Sequence, residues 1–114
     1  MKTSRRRVRN RRRVARVHRL FRMSDSHGLH ARPAALIAGT ASQFEADILV
    51  RHGESVADGK SMLDLLVLCA GPGGLLTIVT EGVDAIEAMN GLEGAFQRHA
   101  FLISEGPNRH TGRS

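Results

Sequence analysis

The stretch Gly28-Leu29-His30-Ala31-Arg32-Pro33-Ala34 marks the start of the first predicted helix and is the most informative segment of this 114-residue chain. Pro33 lies early in that helix, where the N–H that proline lacks would have no intrahelical partner. His30 is therefore expected at the N-cap of the helix or just before it. Free N–H groups and the positive end of the helix dipole make this position suitable for an anion.

Two side chains in this segment have the chemistry to use such a position. Arg32 adds a permanent cation whose planar guanidinium matches the geometry of phosphate oxygens. His30 adds a ring nitrogen, and a neutral imidazole can attack phosphorus as a nucleophile. A nucleophile, an anion-binding helix start and a cation within three residues describe a phosphohistidine site. A solitary histidine is usually a surface or satisfied core residue, but this context favours a functional role for His30.

The hydrophobic pattern on both sides of this segment predicts alternating strands and helices. The predicted strands cover 17–23, 46–51, 55–57 and 75–80, and the predicted helices cover 31–42, 62–68 and 85–96. Arg19 interrupts the alternation of the first strand, so we expect that strand to have a frayed start. The order β-α-β-β-α-β-α favours a two-layer α+β sandwich, in which helices cover one side of a single sheet.

The basic residues of the chain are concentrated at its N-terminus. Residues 1–16 hold nine Lys or Arg and no acid, whereas the rest holds eight Lys or Arg against eleven Asp or Glu. We therefore expect a disordered Arg-rich extension over 1–16, a folded domain over 17–103 and a flexible C-terminal tail over 104–114. A misassigned start codon is the alternative explanation of the extension, with Val14 or Val17 as the initiator.

Several classes of function are disfavoured by composition. The single cysteine excludes an intramolecular disulfide and a Cys-based zinc site. No apolar run approaches the roughly 20 residues that span a bilayer. The absence of Trp and Tyr disfavours a surface that stacks on bases. His27 and His30 have H-x-x-H spacing, but we expect no metal site, because no acid or cysteine nearby completes one.

Two motifs together resemble the histidine-containing phosphocarrier (HPr) family of the bacterial phosphoenolpyruvate-dependent phosphotransferase system. The first is segment 28–34, and the second is Gly59-Lys60-Ser61-Met62-Leu63. The separation of 31 residues between His30 and Ser61 fits the family spacing without a gap. The resemblance runs from about Val17 to Ile103. It implies an HPr-like open-faced β-sandwich, in which three helices cover one side of a four-stranded antiparallel sheet.

The resemblance also implies roles for individual residues. His30 would accept a phosphoryl group from phosphorylated enzyme I on its Nδ1 nitrogen and pass it to a IIA-type domain. Arg32 matches the arginine that contacts the phosphoryl group. Ser61 matches the serine that HPr kinase/phosphorylase modifies, although Ser61 also has a structural interpretation as a helix N-cap. The partner-docking surface would consist of Met62, Leu63 and Leu66.

The remaining expectations concern partners and location. The resemblance implies a phosphocarrier that is not an enzyme, needs no cofactor, and exists as a cytoplasmic monomer without membrane insertion. Nucleic acid is expected as a partner only through the Arg-rich extension, which has no counterpart in the family. The alternative function is a regulatory or nucleic-acid-associated protein that uses this extension, with binding that weakens steeply as salt rises.

Overall fold

The computed structural model describes residues 14–68, 70–99 and 101–113, so the predicted disorder of residues 1–13 lies outside the described residues. The described strands are β1 (Val14–Met23), β2 (Asp47–His52), β3 (Ser55–Asp58), β4 (Leu75–Gly82) and β5 (Leu102–Arg113). The described helices are α1 (Ala31–Ala41), α2 (Met62–Val67) and α3 (Ala85–His99). The first seven elements follow the predicted order.

The strands form one antiparallel sheet in the order β3-β2-β4-β1-β5. Thr80 of the central strand β4 is aligned with Val17 of β1 and with Ile48 of β2. A turn at Gly53 joins β2 to β3, and its φ of +61° is a conformation that glycine adopts without strain. The α+β class is confirmed, and the sheet has five strands in place of the predicted four.

The hydrophobic core lies between one face of the sheet and the helices. Ile48 and Val50 of β2 are buried, whereas Leu49 between them is exposed, because successive residues of a strand point to opposite faces. Phe21 of β1 and Phe96 of α3 meet edge to face with their centroids 5.0 Å apart, the arrangement that aromatic quadrupoles favour. The uncovered outer face makes the architecture an open-faced sandwich.

The prediction that Arg19 marks a frayed strand start was wrong. Arg19 lies in the middle of β1, on the inward face, and is 6% exposed. Its guanidinium forms an ion pair with the carboxylate of Glu93 on α3. A buried cation is tolerated here because a carboxylate from the helix layer neutralises it. The burial of β1 therefore alternates regularly and Arg19 occupies one of its inward positions, although the pairing with β5 shifts register between His18 and Leu20.

The C-terminal region also differs from its prediction. Residues 102–113, most of which fall in the predicted flexible tail, form β5 and pair with β1. The outer edge of β1 offers unpaired N–H and C=O groups, and an added strand satisfies them whatever its side chains are. A polar sequence with little apolar periodicity can therefore still extend the sheet. The same pairing brings Val14, Ala15 and Arg16 into β1, although all three were assigned to the disordered extension.

No helix in the described part of the chain is long and apolar enough to span a bilayer. The longest of them, α3, is 15 residues long. The buried side of α3 carries Met89, Leu92 and Phe96, and its other side is mostly polar, with Ile86 44% exposed. This amphipathic pattern is the one predicted from the sequence, and it holds α3 against the sheet.

Candidate functional site

The loop before α1 forms three hydrogen bonds through its backbone N–H groups. The N–H of Gly28 donates to the carbonyl of Asp25 over 3.0 Å, and the N–H of His27 donates to the Asp25 carboxylate over 2.8 Å. The N–H of Leu29 donates to the carbonyl of Ala70 over 2.7 Å. These bonds form a tight turn and fix it against the segment that follows α2.

Gly28 is required at the centre of this turn for two reasons. Its φ of +71° lies in the left-handed region, which other residues adopt only with strain. A Cβ at this position would lie 2.5 Å from the carbonyl oxygen of Ala70, well inside van der Waals contact. The glycine of the motif therefore lets the loop approach Ala70 closely and sets the direction in which the chain enters α1.

His30 is the N-cap of α1, as the position of Pro33 predicted. Its backbone is extended, with φ −125° and ψ −165°, and its side chain makes no capping hydrogen bond. The ring is thus not used to close the helix, and the first N–H groups of α1 remain available to another acceptor. The His30 side chain is 34% exposed, and its Nε2 atom is buried.

The carboxylate of Asp25 lies next to this ring. One of its oxygens, Oδ1, is 3.3 Å from Nε2 of His30 and 3.5 Å from Nδ1 of His27. The hydrogen bond from the His27 backbone N–H, assisted by the His30 imidazole, lowers the pKa of Asp25 below its ordinary value, although partial desolvation acts in the opposite direction. Asp25 is therefore a carboxylate at neutral pH.

Sequence reasoning missed Asp25, and the stated reason for expecting no metal site was wrong. An acid does lie beside His27 and His30, because the turn at Gly28 folds the chain back and brings Asp25 toward both rings. The available signal was an aspartate two residues before His27, at the spacing of an Asx turn.

Arg32 lies in the first turn of α1, with its side chain exposed. Its guanidinium carbon is 5.9 Å from the centroid of the Phe101 ring, which stacks in turn on His99. Among the described residues, no carboxylate pairs with Arg32. An aromatic ring supports the cation on one side, and its hydrogen-bond donors stay available to an oxyanion.

Ser61 is the N-cap of α2, as predicted. Its Oγ accepts a hydrogen bond from the backbone N–H of Asp64 over 3.2 Å. The carboxylate of Asp64 reaches back to the N–H of Asp58 over 3.4 Å. The hydroxyl of Ser61 therefore has a structural role as a helix cap. Because Ser61 is only partly buried, solvent can also reach it.

The surface of α2 differs in part from the predicted docking patch. Met62 is 37% exposed and Leu63 is 75% exposed, whereas Leu66 is half-buried. Val67, which was not part of the predicted patch, is 77% exposed. Because α2 has six residues and buries only Leu65 completely, most of its apolar side chains face solvent. Helix α2 packs against α1, the helix that begins at His30, so this apolar surface lies next to the His30 helix.

The comparisons with known proteins found relatives of this chain in both sequence and fold. A family model described as "PTS HPr component phosphorylation site" matches residues 17–98. The chain is 36% identical over 81 residues to phosphocarrier protein HPr of Treponema pallidum (strain Nichols), covering 71% of this chain and 92% of that protein. The fold is similar to that of the histidine-containing phosphocarrier protein of Mycoplasma, with a TM-score of 0.72, 28% identity, and coverage of 75% of this chain and 97% of the other. It is also similar to HPr from Bacillus anthracis str. Ames, with a TM-score of 0.64, 38% identity, and coverage of 70% and 95%.

Proposed function

Since the chain belongs to the HPr family of the phosphotransferase system, we propose that it accepts a phosphoryl group on Nδ1 of His30 and passes it on. The observation that carries the proposal is the position of the His30 ring. The ring is one-third exposed at the start of α1, two residues before Arg32 in the sequence, and makes no capping bond. A histidine needed only for the fold would be expected to use its ring nitrogens in hydrogen bonds.

The environment of the ring distinguishes its two nitrogens. Nε2 is buried and lies 3.3 Å from the Asp25 carboxylate, so a proton on Nε2 is favoured electrostatically. A neutral imidazole carries one proton, and the lone pair is then on Nδ1. This lone pair attacks the phosphorus of the donor, a nitrogen–phosphorus bond forms, and the bond between phosphorus and the donor's leaving atom breaks. Asp25 is therefore assigned as a positioning residue for the nucleophile.

The charge of the transferred group is stabilised by two features of α1. The three equatorial oxygens of the phosphoryl group carry most of the negative charge during transfer. Under this proposal, the N–H groups of the first turn of α1 and the positive end of its dipole hold these oxygens. The guanidinium of Arg32, supported by Phe101, adds a full positive charge. Stabilisation of charge and orientation is the main task of a protein in phosphoryl transfer.

We expect Arg32→Ala to slow phosphorylation of the chain by its donor and to leave its thermal stability unchanged. A hydrogen bond to a charged group contributes about 1.5–3 kcal/mol, which corresponds to a rate reduction of about 10- to 150-fold. The measurement is the pre-steady-state rate of phosphoryl transfer in both directions. Arg51→Ala, which removes an exposed arginine from β2, is the control and should transfer at the normal rate. Equal rates in the two variants would remove Arg32 from the mechanism.

The partners follow from the family and from the surface of α2. We propose enzyme I as the donor and IIA-type domains as acceptors, with the chain acting as a carrier and not as an enzyme. Met62, Leu63 and Leu66 form the proposed docking surface, and the exposure of Val67 favours its inclusion. Apolar side chains left in solvent beside a reactive group are typical of a protein-binding surface. Ser61, at the start of this helix, is the proposed substrate of HPr kinase/phosphorylase.

We expect Ser61→Asp to weaken phosphorylation by enzyme I and to preserve the melting temperature. Aspartate can accept the same bond from the N–H of Asp64, and a helix start favours negative charge, so the fold is retained. The added charge beside Met62 and Leu63 opposes docking of an acidic or apolar partner surface, and we expect KM for the chain to rise about tenfold. Enzyme I kinetics measure this effect.

Ser61→Ala is the matched variant, because it removes the cap without adding charge. It should lose about 1 kcal/mol of stability and keep its normal KM. If Ser61→Asp is instead destabilised and is phosphorylated normally, Ser61 is a structural cap alone and its regulatory role is rejected.

The proposed function is tested by reconstitution from purified components. The chain, enzyme I and phosphoenolpyruvate should yield one acid-labile phosphoryl group per molecule, because phosphoramidates of histidine hydrolyse in acid. Addition of a IIA-type domain should then discharge the label from the chain onto that domain. No label with an enzyme I preparation that phosphorylates a known HPr would reject the carrier function.

A further inference from the structure

Three side chains with metal-binding chemistry converge at the turn before α1. Asp25, His27 and His30 each direct one potential ligand atom into a common space, and these atoms all lie within 4.8 Å of one another. The rings of His27 and His30 are 5.6 Å apart between centroids and inclined at 78°, so they do not stack face to face. Two imidazoles and one carboxylate form a ligand set typical of zinc, with a fourth position left for water.

The two distances from Asp25 to the histidine rings agree with one ion shared among the three groups. In a tetrahedral zinc site the bonds to nitrogen and oxygen are about 2.0–2.2 Å, which places neighbouring ligand atoms about 3.3–3.6 Å apart. Oδ1 of Asp25 lies 3.3 Å from Nε2 of His30 and 3.5 Å from Nδ1 of His27. Both separations therefore match edges of the expected tetrahedron.

The burial of the His30 ring nitrogen also favours a bound ion. Nε2 is buried and lies 3.3 Å from the Asp25 carboxylate, but it makes no hydrogen bond of normal geometry among the described residues. A shielded polar atom without a partner is costly, and a bound ion is one way to satisfy it. His27, by contrast, has an exposed side chain, so an ion can enter the site from solvent on that side.

We propose that Asp25, His27 and His30 bind a divalent transition-metal ion such as Zn²⁺, and that the bound ion prevents phosphorylation of His30. The second part rests on the proposed function. When the ion takes the lone pair of Nε2, the one proton of the neutral ring is on Nδ1. Nδ1 then has no lone pair to attack phosphorus. The ion thus blocks transfer by fixing the non-reactive tautomer, without occupying the phosphoryl position.

Binding is tested first without any phosphotransferase component, on the full chain carrying no histidine tag. Co²⁺ is the spectroscopic probe, since tetrahedral Co²⁺ absorbs strongly in the visible range, and Zn²⁺ should displace it. We expect one ion per chain. His27→Gln and Asp25→Asn should each weaken binding by more than about tenfold, because each removes one of three protein ligands. His52→Gln is the matched control, since His52 is a histidine of β2 that does not belong to this cluster, and it should bind as the wild type does. Equal Co²⁺ binding by the wild type and His27→Gln would overturn the site.

Competition with phosphoryl transfer is tested in the reconstituted system. Zn²⁺ should inhibit phosphorylation of the wild type and EDTA should restore it, whereas His27→Gln should be phosphorylated at the same rate with or without Zn²⁺. Equal inhibition of both chains would place the effect on enzyme I and overturn the competition, even if the site itself binds. If the wild type is not phosphorylated in EDTA, the proposed function fails while the Co²⁺ result still decides the metal site.

Discussion

His30→Ala is expected to abolish acceptance of phosphoryl groups from phosphoenolpyruvate and enzyme I. The variant lacks the proposed nucleophile, so the expected loss is complete rather than partial. Its melting temperature should stay near that of the wild type, because the His30 side chain makes no capping hydrogen bond. Radiolabel incorporation and circular dichroism measure the two effects.

His27→Gln is the matched control for this experiment, since it removes the other histidine of the same turn. In the absence of metal it should be labelled at the normal rate. Persistent labelling of His30→Ala would show that the phosphoryl group goes elsewhere. Loss of label together with a large fall in melting temperature would point to a folding defect, and His30→Gln, of closer volume, would then decide between the two.

Among substitutions of charged residues that solvent can reach, Glu93→Ala should produce the largest loss of stability. It leaves the guanidinium of Arg19, whose side chain is 5% exposed, without its carboxylate partner. Removing one member of a buried pair costs about 3–5 kcal/mol. Glu93 is itself 27% exposed, so we expect about 3 kcal/mol, or a fall in melting temperature of about 12 °C or more. Urea unfolding gives the free energy of unfolding directly.

Glu81→Ala is the comparison for this prediction. The Arg16–Glu81 pair spans 4.0 Å with both side chains about half exposed, and such pairs contribute about 0–1 kcal/mol. The double variant Arg19→Met/Glu93→Leu should recover most of the lost stability, because apolar residues of similar size can replace a buried pair. Similar small losses for Glu93→Ala and Glu81→Ala would contradict the importance of the Arg19 pair.

Local signals were sufficient to predict most of the fold and the first helix of the site. Pro33 indicated the start of α1, and His30 is its N-cap. Ser61 was predicted as the N-cap of α2 and does accept the bond from Asp64. These features depend on residues within one turn of each other, so a single sequence contains the information. The period of apolar residues likewise predicted which faces of β2 and α3 are buried.

Features that depend on residues far apart in the chain could not be predicted from local sequence signals. Arg19 looked out of place in its strand because its partner, Glu93, is 74 residues away in the chain. The pairing of β5 with β1 depends on backbone groups at a free sheet edge, and the pattern of side chains does not predict such pairing. The nearness of Asp25 to His30 depends on the left-handed turn at Gly28 and on its contact with Ala70. Each of these is a consequence of tertiary structure.

The central claim is that Nδ1 of His30 carries the phosphoryl group. The most direct test is long-range ¹H–¹⁵N NMR of the uniformly ¹⁵N-labelled chain before and after phosphorylation by enzyme I and phosphoenolpyruvate. We predict that a single imidazole changes, that it is assigned to His30, and that coupling to ³¹P is seen at Nδ1 while Nε2 keeps its proton. Coupling at Nε2 of His30, or at the ring of any other histidine, would contradict this account.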